Sequence, residues 1–347
     1  MEPFPRAFTF DDVLIEPQAS SVEPHKANVE TEVARGLFLR LPFLSAAMDR
    51  VTEADMAIAL GKLGALGVIH RNSTLESEVA EVRKAKKAKV LVAAACGPFD
   101  IARAQALEVA GADAIVLDCA HGHNLNVIKG ARAMKKKLKK AKLIVGNIAT
   151  AQAALALVSF ADAIKVGIGP GSICTTRIIS GVGVPQFSAI LAVSRVAKKY
   201  KVPVIADGGI KTSGDIAKAL AAGASAVMMG NMFSGTLESP GKIIEKNGKK
   251  YKVYRGMGSS AVIKEKHSSD RYFSKGENTV AEGVEAHVLY KGPVAPIVER
   301  LTKALGITMG YVGAKDIPML HKRAKFIFVT KASVRESFPH GLDFIIG

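Results

Sequence analysis

Short apolar runs alternate along this chain with segments that are apolar on one face only. Eight runs appear in order, PFLSAAM, LGVIHRN, VLVAAACG, AIVLDCAHG, LIVGNIAT, AIKVGIGPG, VPVIADGGI and AVMMGNMF, starting near residues 42, 66, 90, 114, 143, 163, 202 and 226. Several are apolar throughout, as parallel strands covered on both faces must be. Between them EADMAIALGKLGA, FDIARAQALEVAGA, TAQAALALVSFA and SGDIAKALAAGA repeat apolar residues at three- and four-residue spacing and predict helices. The last three begin near an Asp, Thr or Ser able to cap the helix. Strand then helix, eight times over about 250 residues, predicts an α/β fold of the (β/α)8 barrel type. A doubly wound open sheet is the alternative; the even count and the placing of polar residues favour the barrel.

Those polar residues cluster where each run ends: Asp49, His70 with Asn72, Gly97, Asp118 with His121, Asn147, Gly169 to Cys174, Asp207 to Gly209, and Gly230 with Asn231. In a barrel all these ends meet at one face, so they predict a single shared site. After the eighth run the pattern breaks. Residues 236–292 are rich in Gly, Lys and Ser, and contain the hairpin-like EKNGKKYKVY with Asn247-Gly248 at its turn. SSDRYFSKGENT reads as a loop and, at the catalytic end of a barrel, as a lid; a plain surface loop is the alternative. A helical pattern resumes from about Pro293, and the tail after Phe326 reads as a strand with an irregular end. The expectation is therefore one barrel domain over 1–347 with a flap and hairpin insertion at 236–292.

Composition narrows the setting. No apolar run reaches the length of a membrane span, and MEPFPRAFTFDD lacks a secretory pattern, so a cytoplasmic protein without a membrane partner is expected. Three cysteines, Cys96, Cys119 and Cys174, fit a reduced compartment and show no metal-ligand spacing. The net charge of +17 suits a polyanion. Its densest run, MKKKLKKAK at 134–142, has no interleaved aromatic residue and ends a helical segment, where lysines suit the macrodipole. Nucleic acid is thus not the expected partner, and a basic surface also draws in anionic nucleotides.

The chemistry concentrates in three glycine-bearing segments, GPGS at 169–172, DGGI at 207–210 and GN at 230–231. Glycine lets backbone N–H groups approach phosphate oxygens, and the last strands of a barrel are a usual phosphate site. Asp207 would repel a phosphate but suits ribose hydroxyls, so the ligand reads as a nucleotide; a helix cap is the plainer role for Asp207. Cys174 lies just past the phosphate loop, within reach of the base of a nucleotide whose phosphate sits on Ser172. A deprotonated cysteine adds to electron-poor carbon; a buried structural cysteine is the competing reading. No GxGxxG stands in a βαβ setting, which argues against a Rossmann cofactor site.

With FTFDDVLIEP, SAAMDRVTE, LDCAHGHN, GNIAT, KVGIGPGSICTTR, GVGVPQ, ADGGI, YRGMGS, DRYF, EGVEAHVLYKGP and GYVGAKDI, the chain resembles the IMP dehydrogenase/GMP reductase family over nearly its whole length. The cysteine loop with GVGVPQ is highly specific to it. The resemblance implies a tetrameric (β/α)8 barrel that oxidises inosine monophosphate (IMP) to xanthosine monophosphate (XMP) with NAD+ and water. It implies that Cys174 attacks C2 of the purine, that hydride passes from C2 to the nicotinamide, and that a covalent thioimidate is then hydrolysed. Arg271 and Tyr272 match the flap pair, with Arg271 as the base for water and Thr176 positioning it. An arginine base is unexpected physically; a partner for bound phosphate is the alternative.

The resemblance also assigns binding residues. Ser172, Gly209, Gly230, Asn231 and Tyr254 match phosphate contacts, Asp207 the ribose ligand, and Met257, Gly258 and Glu282 contacts to the base. Gly208, Arg255 and Gly256 lie in the same substrate-binding stretches. Asp118, Gly167, Ile168 and Gly169 match the NAD side. Carbonyls of Gly169, Gly171 and Cys174 match a potassium site, to which a partner subunit adds Glu336 and Ser337.

Several positions depart from the family pattern. About twenty residues separate HRN from VLVAAACG, where the family usually inserts a pair of CBS domains. Asn231 replaces a more usual serine, Arg50 a threonine, Cys119 a threonine or serine, and Phe338 a histidine near the second half of the cation site. Within the family, HGHN, YRGMGS, DRYF and EGVEAHV favour the dehydrogenase over the NADPH-dependent GMP reductase. A non-catalytic nucleotide- or nucleic-acid-binding barrel has no need for Cys174, Arg271 and Tyr272 together.

Overall fold

Each of the eight apolar runs becomes a strand of one closed parallel barrel in the computed structural model, which describes residues 4–265 and 280–339. The strands are β1 (Phe43–Ser45), β2 (Leu66–Ile69), β3 (Val92–Cys96), β4 (Ala114–Asp118), β5 (Lys142–Ile148), β6 (Ala163–Val166), β7 (Val204–Asp207) and β8 (Ala226–Met229). Pairing of β8 with β1, Val227 opposite Phe43 and Met229 opposite Ser45, closes the ring and excludes the open sheet. One helix follows each strand: α1 (Ala54–Leu63), α2 (Leu75–Lys87), α3 (Ile101–Ala110), α4 (Leu125–Lys137), α5 (Ala151–Leu157), α6 (Gln186–Lys199), α7 (Ser213–Ala221) and α8 (Val294–Val312). The α2 helix alone fills the link between β2 and β3.

Local chemistry sets the helix starts. Asp100 accepts from the Arg103 N–H at the start of α3, and Thr150 from Ala153 at the start of α5. At α7 the cap is Thr212 rather than Ser213, in a reciprocal box with Asp215. The lysine run ends α4 as expected, and Lys135 there pairs with Asp162 at 2.5 Å. Among the described residues no helix is long and apolar enough to cross a membrane.

Continuously apolar strands serve two cores at once, because successive side chains point to opposite faces. Leu44, Leu66, Val68, Ala93, Ala95, Ala114, Val116, Ile144, Ala163, Ile205, Ala226 and Met228 fill the barrel interior. Their neighbours, such as Phe43, Ile69, Val92, Ile115, Leu117, Val145, Ile164 and Val227, pack outward against the helices. A hairpin of Thr31–Ala34 and Leu37–Leu39 inserts Val33, Ala34 and Leu39 into the interior core. Nothing in the run pattern announced that hairpin, whose strands TEVA and LFL alternate with polar or exposed positions.

Beyond β8 a three-stranded antiparallel sheet stands on the barrel, formed by β9 (Ile244–Lys246), β10 (Lys249–Arg255) and β11 (Glu285–Leu289). Asn247 and Gly248 turn the first hairpin with φ of 52° and 70°, the geometry this dipeptide favours. Phe326–Phe328 forms the expected late strand and pairs antiparallel with Val13–Ile15. Of the end expected to be irregular, Lys331–Glu336 forms a short helix, a stretch without Gly or Pro to stop it, and residues 340–347 lie outside the described residues.

Candidate active site

The Cys174 loop leaves β6 and is held open by backbone geometry that only glycine tolerates. Gly167 has φ of +152°, and a Cβ there would lie 2.1 Å from the Asp207 carbonyl oxygen. Arg177, on the short helix Thr176–Ser180, clamps the loop: its guanidinium donates to the Ile168 carbonyl at 3.1 and 3.2 Å and to Val184 at 2.6 Å. Three distant motifs are then knitted by backbone bonds. Thr175 N–H donates to Glu282, Val284 N–H to Ile173, and Glu282 N–H to Gly258.

That knitting aligns the reactive groups. The half-buried Cys174 thiol donates to the Thr176 hydroxyl at 3.2 Å, and this hydroxyl donates to Glu282 Oε2 at 2.7 Å. The thiol proton thus has a continuous path to a carboxylate 106 residues further along from the threonine. Cys96 is fully buried and bonded to the Gly97 and Asp100 carbonyls, and burial pushes its thiol pKa up; it is structural. Cys119 is fully buried as well.

One wall beside Cys174 carries hydroxyl donors. Tyr254 is 3% exposed; burial pushes its phenol up to about 12, against the opposing hydrogen bond with Ser172. A Cβ on Gly230 would lie 2.7 Å from the Tyr254 hydroxyl, so glycine there is what lets β8 end so close to it. The Asn231 and Met232 carbonyls accept from the Lys291 ammonium at 2.5 and 3.3 Å. Partial desolvation of its ammonium against these carbonyls holds Lys291 down to about 8, although the residue is exposed overall. Gly208 and Gly209 pack their turn on Pro170. Asp207 does not cap α7, whose cap is Thr212.

The barrel mouth contains a group the sequence reading passed over. Lys165 on β6 is 1% exposed and donates to Asp118 Oδ1 at 3.0 Å, to Asp207 Oδ2 at 2.5 Å and to Asn147 Oδ1. Asn147 in turn donates to Asp207 Oδ2 at 2.9 Å and to the Gly167 carbonyl at 2.7 Å. The β5–β6 register shifts between Gly146 and Ile148, which sets Asn147 outside the regular pairing. A signal was available: a lysine inside an apolar run, two positions from the interior-facing Ala163.

One cavity is bordered by Asp118, Asn147, Lys165, Gly167, Ile168, Gly169, Gly171, Cys174, Thr176, Asp207, Gly208, Tyr254, Gly256, Met257, Gly258 and Glu282, which joins most of the expected site residues. Ser172 and Gly230 reach it through Tyr254. The Arg255 guanidinium instead turns into ion pairs with Asp49 and Glu265, and Asn72 donates to both carboxylates. Gly209, Asn231, Glu336 and Ser337 do not border the cavity, and the last two are exposed on the C-terminal short helix and its end. Arg271 and Tyr272, with most of the expected lid, lie outside the described residues. Among the described residues no cluster of His, Cys, Asp or Glu could hold a metal ion. The Gly171 carbonyl accepts from Cys174 N–H, whereas those of Gly169 and Cys174 take no backbone bond among the described residues. They fit an oxygen-preferring cation.

A thiol with a hydroxyl–carboxylate relay, at the C-terminal mouth of a (β/α)8 barrel, defines a barrel enzyme built for nucleophilic chemistry. Sequence comparison gives its kind. Residues 7–340 match the family described as IMP dehydrogenase / GMP reductase domain, and the chain belongs to that family. It is 42% identical to the inosine-5'-monophosphate dehydrogenase of Cryptosporidium parvum, over 98% of this chain and 96% of that protein. It is 40% identical to the enzyme of that name from Borreliella burgdorferi, over 96% of each. The one from Methanocaldococcus jannaschii is 39% identical over 97% of this chain and 95% of its own. That alignment runs over 474 positions, more than the 347 residues here.

Proposed function

We propose that this protein oxidises IMP to XMP with NAD+, through a covalent bond between Cys174 and C2 of the purine. The Cys174–Thr176–Glu282 relay carries the reading. A nucleophile needs somewhere to leave its proton, and Glu282 takes it through the Thr176 hydroxyl. The thiolate then adds to C2. Asp118 and the Gly167, Ile168 and Gly169 edge would hold NAD+, which supplies an acceptor for the C2 hydride. Oxidised at C2, the purine stays on Cys174 as a thioimidate. Water cleaves it to XMP and the free thiol, with Arg271 as base beside Tyr272 and Thr176 positioning the water.

Around this centre Tyr254, Ser172 and the Gly208, Gly209, Gly230 and Asn231 backbones hold the phosphate. Asp207 accepts from the ribose, and Met257, Gly258 and Glu282 face the base. Potassium fits the Gly169, Gly171 and Cys174 carbonyls, with Glu336 and Ser337 supplied by a neighbouring chain of a homotetramer. The three free cysteines accord with a cytoplasmic setting. Incubation with IMP and NAD+, then separately with GMP and NADPH, tests the assignment. NADH formation in the first alone is expected; NADPH loss in the second alone makes the protein a GMP reductase.

A further inference from the structure

Lys165 sits at the centre of the barrel mouth with all three ammonium protons committed, to Asp118, Asn147 and Asp207. Such an amine is neither a base nor a nucleophile in this state. What it does is fix its partners. Four consecutive strands, β4 to β7, each contribute one member of the cluster, and Lys165 bridges its two aspartates. A Cβ on Gly146 would lie 2.6 Å from the Lys165 Cβ, so the neighbouring strand grips the stem of the lysine as well.

The consequence falls on Asp207. Its Oδ2 is doubly occupied, by Lys165 and by Asn147, while its Oδ1 takes no hydrogen bond among the described residues. The carboxylate therefore offers one oxygen, in one orientation, to the cavity. We propose that Lys165 is a positioning residue that confers sugar specificity: by locking Asp207, it makes the site discriminate ribose from 2′-deoxyribose nucleotides. This rests on the reading of Asp207 as the ribose ligand. A carboxylate free to rotate meets the remaining hydroxyl of a deoxyribose almost as well, whereas a fixed oxygen aimed at the vicinal pair loses a charge-assisted bond when one is missing.

Calorimetric titration with IMP, 2′-deoxy-IMP and inosine, without NAD+, separates sugar from phosphate recognition. Wild type is expected to prefer IMP over 2′-deoxy-IMP by about 10- to 100-fold, the worth of a hydrogen bond to a charged group. In Lys165→Met that preference should shrink to about threefold or less, while the IMP-to-inosine ratio, set at Tyr254 and the glycine segments, stays as in wild type. Removing the lysine takes a shared cation from the buried Asp118 and the half-buried Asp207. Should the single variant not fold, Lys165→Met/Asp118→Asn removes one of them and is expected to show the same loss of sugar preference. Asn147→Ala, which frees the other hold on Oδ2, should reduce the preference in part. An unchanged sugar ratio in the lysine variants overturns the inference, and so does a parallel fall of both ratios, which would make Lys165 merely structural. A wild-type protein that binds no IMP at all brings down the functional reading too, which the first titration alone reveals.

Discussion

Thr176→Val removes a single oxygen from the line between Cys174 and Glu282 and keeps the side-chain shape. The hydroxyl accepts from sulfur at 3.2 Å and donates to the carboxylate at 2.7 Å, so without it the thiol and Glu282 lie two hydrogen bonds apart with an apolar methyl between. Direct proton transfer over that gap is closed, and the thiol must lose its proton to solvent. Positioned acid–base assistance is worth about 10²- to 10⁴-fold, or about 2.7–5.4 kcal/mol of barrier, and kcat should fall by that much. Folding should be spared, because Glu282 is only half-buried and regains water; about 1 kcal/mol or less is expected. The assay pairs kcat with the rate at which iodoacetamide labels Cys174 at neutral pH, which should slow about tenfold or more. If kcat stays within about threefold and labelling is unchanged, the thiol is activated by another route and the relay has no part in it.

Four further outcomes follow from the same geometry. Cys174→Ala should abolish turnover while IMP still binds by calorimetry; wild-type-like turnover removes the nucleophile. Gly230→Ala drives a methyl to 2.7 Å from the Tyr254 hydroxyl and 3.2 Å from Met48 Sδ, and should weaken IMP about 10- to 100-fold but leave inosine alone; an equal loss for inosine contradicts the phosphate placement. Lys291, held down to about 8 by desolvation of its ammonium, is charged below that pH and neutral above it. IMP affinity should therefore decline as pH rises through about 8, with the step absent in Lys291→Met; a level wild-type profile there refutes it. Gly167→Ala forces a Cβ to 2.1 Å from the Asp207 carbonyl at a φ of +152°, and should lower stability by about 3 kcal/mol or more in denaturant unfolding; a variant as stable as wild type contradicts the packing.

The eight strands, most helix starts and the cysteine loop are legible in the sequence because each is written in contiguous residues. Period-two and three-to-four spacings, a capping Asp or Thr, and an Asn-Gly turn act over a few positions, and the chain cannot ignore them locally. The α/β class follows as well, with the count of eight and the polar strand ends favouring a barrel, while the pairing of β8 with β1 excludes the open sheet. Closure decided the rest. It carries Thr176 to Glu282 across 106 positions and Arg255 to Asp49 across 206, an ion pair that no local stretch announces. It also turns one lysine in an apolar run inward, between two aspartates 47 positions before it and 42 after. Whether a side chain faces the barrel axis or the helices depends on strand parity and register, and electrostatic partners are chosen by distance in space; neither is written in any local stretch of the chain.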